Sequence, residues 1–118
     1  MKKTARILII FVILCFACAF VGCAQVQTTL NTPQNVQVID NVVYWNSVDG
    51  ALGYYVSINM VEYSTSSNNI NLSTLPIASG TQCSIMVKAQ GDGYLKLSSA
   101  YSQPITYTYI AKEIDNNT

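Results

Sequence analysis

The stretch VVYWNSVDGALGYYVSI, Val42 to Ile58, reads as two strands joined by a glycine-bounded turn. Side chains alternate across a strand, so Val43 and Trp45 share one face while Tyr44 and Asn46 share the other. Asp49-Gly50 breaks the first strand and Gly53 closes the turn. The second strand then sets Tyr54, Val56 and Ile58 on one face against Tyr55, Ser57 and Asn59. An inward Trp45 and an inward Tyr54 predict a half-buried sheet with its core on that side.

Outward from this pair, the same short pattern repeats. Asn35 to Ile39 forms a strand before the Asp40-Asn41 turn, with Pro33 at its head. Asn59-Met60 turns into a strand over Val61 to Ser64, and Ser64 to Asn69 is a loop by composition. Ile70 to Leu72 is a brief strand, and Leu75-Pro76 marks the next crossing. Thr81 to Ala89 places Cys83, Ile85, Val87 and Ala89 on one face, with Ser84, Met86 and Lys88 on the other. Gly91-Asp92-Gly93 opens a loop to about Ser99, and Pro104 to Ile110 is a last strand rich in β-branched and aromatic residues. No segment here carries a helical period. About seven turn-separated strands predict an all-β, two-sheet antiparallel sandwich.

Upstream lies a different kind of sequence. Met1 to Arg6 is basic and Ile7 to Val21 is apolar, the form of a secretory signal helix too short for an ordinary membrane span. Phe20-Val21-Gly22-Cys23 resembles a bacterial lipobox, although phenylalanine stands where leucine is usual. That resemblance implies cleavage before Cys23 and a diacylglycerol thioether on its sulfur. The division expected is a lipoprotein signal peptide over 1–22, a lipidated Cys23 and flexible tether over 23–32, a folded domain over 33–110 and a polar tail over 111–118. The basic residues before the apolar run place the domain on the extracytoplasmic side of the cell membrane.

Composition excludes several functions. Charged residues are 10% of the chain, and past the signal three lysines stand against six carboxylates. Such a body offers no cationic cluster for phosphates, so nucleic acid is not an expected partner. The chain has no histidine, which removes the commonest general base and metal ligand together. Of four cysteines, Cys15 and Cys18 leave with the signal and Cys23 takes lipid, so Cys83 has no disulfide partner.

The elements Pro33, Val43-x-Trp45, Ala51-x-Gly53-Tyr54-x-Val56, Leu75, Ile85-x-Val87-x-Ala89, Gly91-Asp92-Gly93 and Ser99-x-Tyr101-Ser102 together resemble a fibronectin type III domain of a bacterial surface lipoprotein. The resemblance implies an immunoglobulin-like sandwich of a three-stranded and a four-stranded sheet, with Trp45 on the second strand. Two positions depart from the pattern. Cys83 stands where the sixth strand usually carries a tyrosine that ties down the preceding corner, and Met60 stands where many relatives have glycine.

Each chemically suggestive residue also has a packing role. Cys83 on an inward position acts as a small hydrophobe, with no neighbouring cation in sequence to activate it. Asp92 between glycines is a turn residue, since calcium needs six to eight oxygens and no spaced acidic run supplies them. Asp49 and Glu62 are not fixed in any spacing that acid–base chemistry on a glycoside would require. No enzyme and no cofactor other than lipid on Cys23 is expected. The expected binding surface is Tyr55, Met86 and Lys88 on one sheet face, with Tyr94 and Leu95 in the loop after Gly93. Its partner is a protein or glycan; the alternative is a spacer or accessory subunit of an envelope assembly, without a soluble ligand.

Overall fold

The computed structural model describes residues 26–113. Cys23, the signal helix and the last residues of the tail lie outside them. Among the described residues the fold is all-β, with nine strands: β1 (Thr28–Thr29), β2 (Gln37–Ile39), β3 (Val42–Tyr44), β4 (Gly53–Ile58), β5 (Val61–Thr65), β6 (Asn69–Asn71), β7 (Gln82–Gln90), β8 (Lys96–Leu97) and β9 (Ile105–Thr108). A single 3-10 turn, Leu72–Thr74, follows β6, capped by the Asn71 side chain accepting from the Ser73 N–H.

Two antiparallel sheets face one another, ordered β2-β3-β6 and β5-β4-β7-β9. Alternation explains why they meet. Val43 and Trp45 from one sheet join Tyr54, Val56, Ile58, Cys83, Ile85, Val87 and Ala89 from the other in one buried cluster. Tyr44 and Met86, on opposite faces of their strands, are correspondingly left out of it. At about 25 cal/mol per Å² of apolar surface, this shared core is the main favourable term of the fold.

Two hairpins close through two-residue turns in which both residues have positive φ. Asp40 and Asn41 (φ 55° and 66°) join β2 to β3, and Asn59 and Met60 (φ 51° and 71°) join β4 to β5. Such primed turns match the twist of antiparallel strands and favour asparagine or glycine. Met60 adopts this region without glycine's freedom because Asn59 fastens the turn. The Asn59 Nδ2 donates to the Gln82 carbonyl, and its Oδ1 accepts from the Ser84 N–H at 2.8 Å.

Two expectations need correction. The tether does not run free to Thr32: Thr28 and Leu30 donate backbone N–H groups to the Leu95 and Leu97 carbonyls, each at 2.9 Å. β1 thereby pairs parallel with β8, and Leu30 enters the core with Pro33. The 91–99 loop consequently contains a strand. Gly91 permits this packing, since a Cβ there would come within 2.1 Å of the Lys96 carbonyl oxygen. The first residues of the polar tail are held in place. Ala111 donates its N–H to Ser79 Oγ, and Lys112 pairs with Asp40 at 2.8 Å.

Serine hydroxyls finish the edge of β7. Its pairing with β9 ends at Ile85. Beyond that point the N–H groups of Val87, Ala89 and Gly91 donate to the hydroxyls of Ser102, Ser99 and Ser98 at 2.8–3.0 Å. The polar run Ser98-Ser99-Ala100-Tyr101-Ser102 therefore crosses the sheet edge as a side-chain ladder. It also delivers Tyr101 to the outer face.

Candidate functional site

The outer face of the larger sheet is built by register. Tyr55 stands opposite Lys88, and Ser57 opposite both Met86 and Glu62. Lys88 is the centre of what forms there. Its Nζ lies 5.2 Å from the Tyr55 ring centroid, 4.8 Å from that of Tyr101 and 3.7 Å from Glu62 Oε2. Tyr101 in turn donates its hydroxyl to Glu62. A cation between two aromatic faces gains about 0.5–1 kcal/mol per exposed ring, so the contacts order the Lys88 stem more than they stabilise the fold. Ser57, expected on the solvent side, is buried in the middle of this face.

Of the expected surface residues, Tyr55, Met86 and Lys88 thus share one face. Tyr94 and Leu95 do not join it. They sit beyond the end of β7, in a loop whose bonds run to the N-terminal segment: Gln27 Nε2 donates to the Tyr94 carbonyl and Thr28 N–H to that of Leu95. Asp92 fastens this loop, its Oδ1 accepting from the N–H groups of Tyr94, Leu95 and Lys96 at 2.8–2.9 Å. Those donors and the Lys96 charge hold the Asp92 carboxyl below its ordinary range. The residue acts as a turn clamp.

Tyr101 and Glu62 are the members that strand reading alone passed over. The signal for Glu62 lay in the two-residue Asn59-Met60 turn, which sets Glu62 opposite Ser57. Tyr101 had none beyond the Ser99-x-Tyr101-Ser102 spacing, because its position depends on the serine ladder.

Electrostatics keep the phenol of this cluster in its neutral form. Burial, then the hydrogen bond to Glu62 and its charge, then Tyr55, push the Tyr101 phenol up to about 12. A phenol raised this far stays protonated at neutral pH and is a poor base or nucleophile. Because the unfolded phenol ionises near 10, the folded state is favoured fully below about pH 10, and this preference is lost as pH rises towards 12. A near-ultraviolet tyrosinate titration should therefore show a late step that disappears in Tyr101→Phe and moves down in pH in Glu62→Gln. If Tyr101→Phe leaves the last step in place, the phenol is not held by Glu62.

Elsewhere the chemistry is quiet. Burial pushes the Cys83 thiol up, against a smaller lowering from the Tyr109 backbone, and its Sγ lies 3.7 Å from the Thr81 carbonyl. Among the described residues, no group of three or more acidic, cysteine or histidine side chains is placed to hold a metal. A shallow groove of about 500 Å³ runs between Thr32–Val36 and Tyr101–Ile105, so Tyr101 borders both the groove and the Lys88 face.

No protein-family model matches the chain, and no curated protein shows significant similarity to it.

Proposed function

We propose that this chain is a fibronectin type III-like module, held at the extracytoplasmic face of a bacterial cell membrane by lipid on Cys23. It acts without catalysis, binding a protein or glycan through the Tyr55–Lys88–Tyr101 face. The three-plus-four division of the sheets, with Trp45 just past the second strand of the smaller one, supports the domain reading. The basic-then-apolar N-terminus ending in Gly22-Cys23 supports the anchor. One observation carries the binding reading above all: two tyrosine rings and Glu62 hold Lys88 in place on an outward face of a rigid sheet. Pre-ordered aromatic and charged groups lose little entropy when they meet a partner.

Crosslinking of the intact chain in its native membrane, followed by identification of the captured molecule, tests this. Tyr55→Ala and Lys88→Ala should each abolish capture, whereas Tyr44→Ala on the smaller sheet should not. Tyr55 and Lys88 are half-buried, so circular dichroism of each variant establishes that the fold is kept before capture is compared. Capture that survives both substitutions would remove the binding site from this face. Absence of fatty-acid labelling in the wild type would remove the anchor.

An accessory-subunit reading draws on a separate observation. Tyr109 sends its N–H to Thr81 and its carbonyl accepts from Gly80, both towards the body of the sheet. By alternation, Thr106 and Thr108 direct their N–H and C=O groups outward along the uncharged edge of β9, which pairs only with β7. A partner strand could add there. Crosslinks mapping to β9 instead of the Lys88 face would favour that assignment.

A further inference from the structure

Exposed apolar side chains gather at both ends of the domain. At one end are Ile39, Met60, Val61 and Ile110; at the other are Val26, Leu52, Tyr94, Leu95 and Leu97. What separates the two ends is where the chain enters. Gln27 and Thr28 are bonded to the carbonyls of Tyr94 and Leu95, and Leu30 is buried, so the backbone is fixed from Gln27 onward. Only four steps of chain connect Cys23 to Gln27. At no more than about 3.6 Å per residue, they span about 14 Å at full extension. If the apolar run ending at Val21 stays uncleaved as the anchor, the six steps to Gln27 span about 22 Å.

Through either link the Tyr94–Leu95 loop lies beside the anchor, and with lipid on Cys23 the Met60 turn is beyond reach. Met60 lies past the far end of the six-residue β4, about 20 Å away at the usual strand rise. The loop has the composition for such a surface. Tyr94, 68% exposed, is amphipathic, and Leu95, Leu97 and Val26 are apolar, while the Lys96 side chain lies against Gly50 at the same end of the domain. Tyrosine and lysine favour the headgroup layer, where one end of the side chain is apolar and the other wet. The short link also makes the contact intramolecular, at high effective concentration.

We propose that the Tyr94–Leu95 loop, flanked by Val26 and Leu97, is a second membrane contact that seats in the headgroup layer beside the anchor. The domain then stands on the bilayer with the Met60 turn pointing away and the Lys88 face exposed along its side. This rests on the N-terminal segment being the membrane anchor.

The test uses the full chain reconstituted into phosphatidylcholine vesicles that carry a brominated phosphatidylcholine. Tyr94→Trp and Met60→Trp each add an indole to the constant emission of buried Trp45. Met60, 89% exposed, makes the comparison fair, being the more accessible of the two. Emission added at position 94 should shift to the blue and be quenched at least threefold more than emission added at position 60. Equal quenching at both positions, or none at either while the protein floats with the vesicles, overturns the second contact and leaves the anchor standing. Burial of position 94 in the native membrane without quenching by bromolipid would assign the loop to a protein partner and likewise overturn it. Failure of the wild-type chain to float with vesicles defeats the anchor reading, and this inference with it.

Discussion

Trp45→Ala is expected to lower the unfolding free energy by about 3–5 kcal/mol, the scale for emptying a buried aromatic site. Trp45 is 2% exposed and meets the Tyr54 ring edge-on, with centroids 5.3 Å apart. That contact adds about 0.5–1.5 kcal/mol to the burial itself. It also holds Tyr54, whose hydroxyl accepts from the Val48 N–H at 2.8 Å and so pins the turn between β3 and β4. Total stabilities run at about 5–15 kcal/mol, and a domain this small belongs at the lower end, so the alanine variant should be partly unfolded at room temperature. Trp45→Phe separates the causes. The indole N–H is buried without an acceptor, and such a group costs about 1–3 kcal/mol. Phenylalanine removes that cost along with part of the ring, so its net loss should stay near 1–2 kcal/mol. Urea unfolding followed by far-ultraviolet circular dichroism measures both variants without relying on the indole. An alanine loss below about 1 kcal/mol would contradict a central Trp45; a phenylalanine loss equal to it would mean the N–H is satisfied.

The inward face was legible because it has a period of two and is nearly unbroken. Cys83, Ile85, Val87 and Ala89 are all fully buried, as are Val43 and Val56, where alternation put them. The outer face was legible only in part. Tyr55, Met86 and Lys88 follow from alternation within single strands, but Ser57 is covered by contacts that no single strand encodes. Docking of Thr28–Leu30 was invisible for a stronger reason. The segment is polar, its strand has two residues, and its partners lie 67 positions away, so neither composition nor period marks it. The serine ladder escaped for the same reason, since Ser98, Ser99 and Ser102 read as loop residues until the edge they complete is known. Cys83 shows the opposite case. Its burial follows from the inward position alone, with no distant partner needed to foresee it.

Asn41 is the residue whose removal brings the second large loss expected. It is buried in the β2–β3 turn at φ 66°, a conformation that asparagine tolerates better than most residues. Its Nδ2 donates to the Ile110 carbonyl at 2.8 Å, and its Oδ1 accepts from the Tyr107 hydroxyl at 2.7 Å. Its own carbonyl accepts from the Leu72 N–H at 2.8 Å. The side chain thus ties the smaller sheet to the end of β9, and the backbone carbonyl ties it to the 3-10 turn. Asn41→Ala loses both side-chain bonds, strands two partly buried polar groups and adds backbone strain, for an expected loss of about 2–4 kcal/mol. Asn41→Gly relieves the strain while losing the same bonds, so it should cost less, about 1–3 kcal/mol. Tyr107→Phe removes one bond alone and should cost about 0.5–1.5 kcal/mol. Chemical denaturation of the three variants gives the order, and hydrogen exchange at Tyr109 and Leu72, whose N–H groups bond to Thr81 and Asn41, shows whether the corner opens first. If Asn41→Gly matches the wild type, the bonds hold nothing and the residue serves only its turn. If the ordering is as expected, a single buried amide holds the β2–β3 turn to the end of β9.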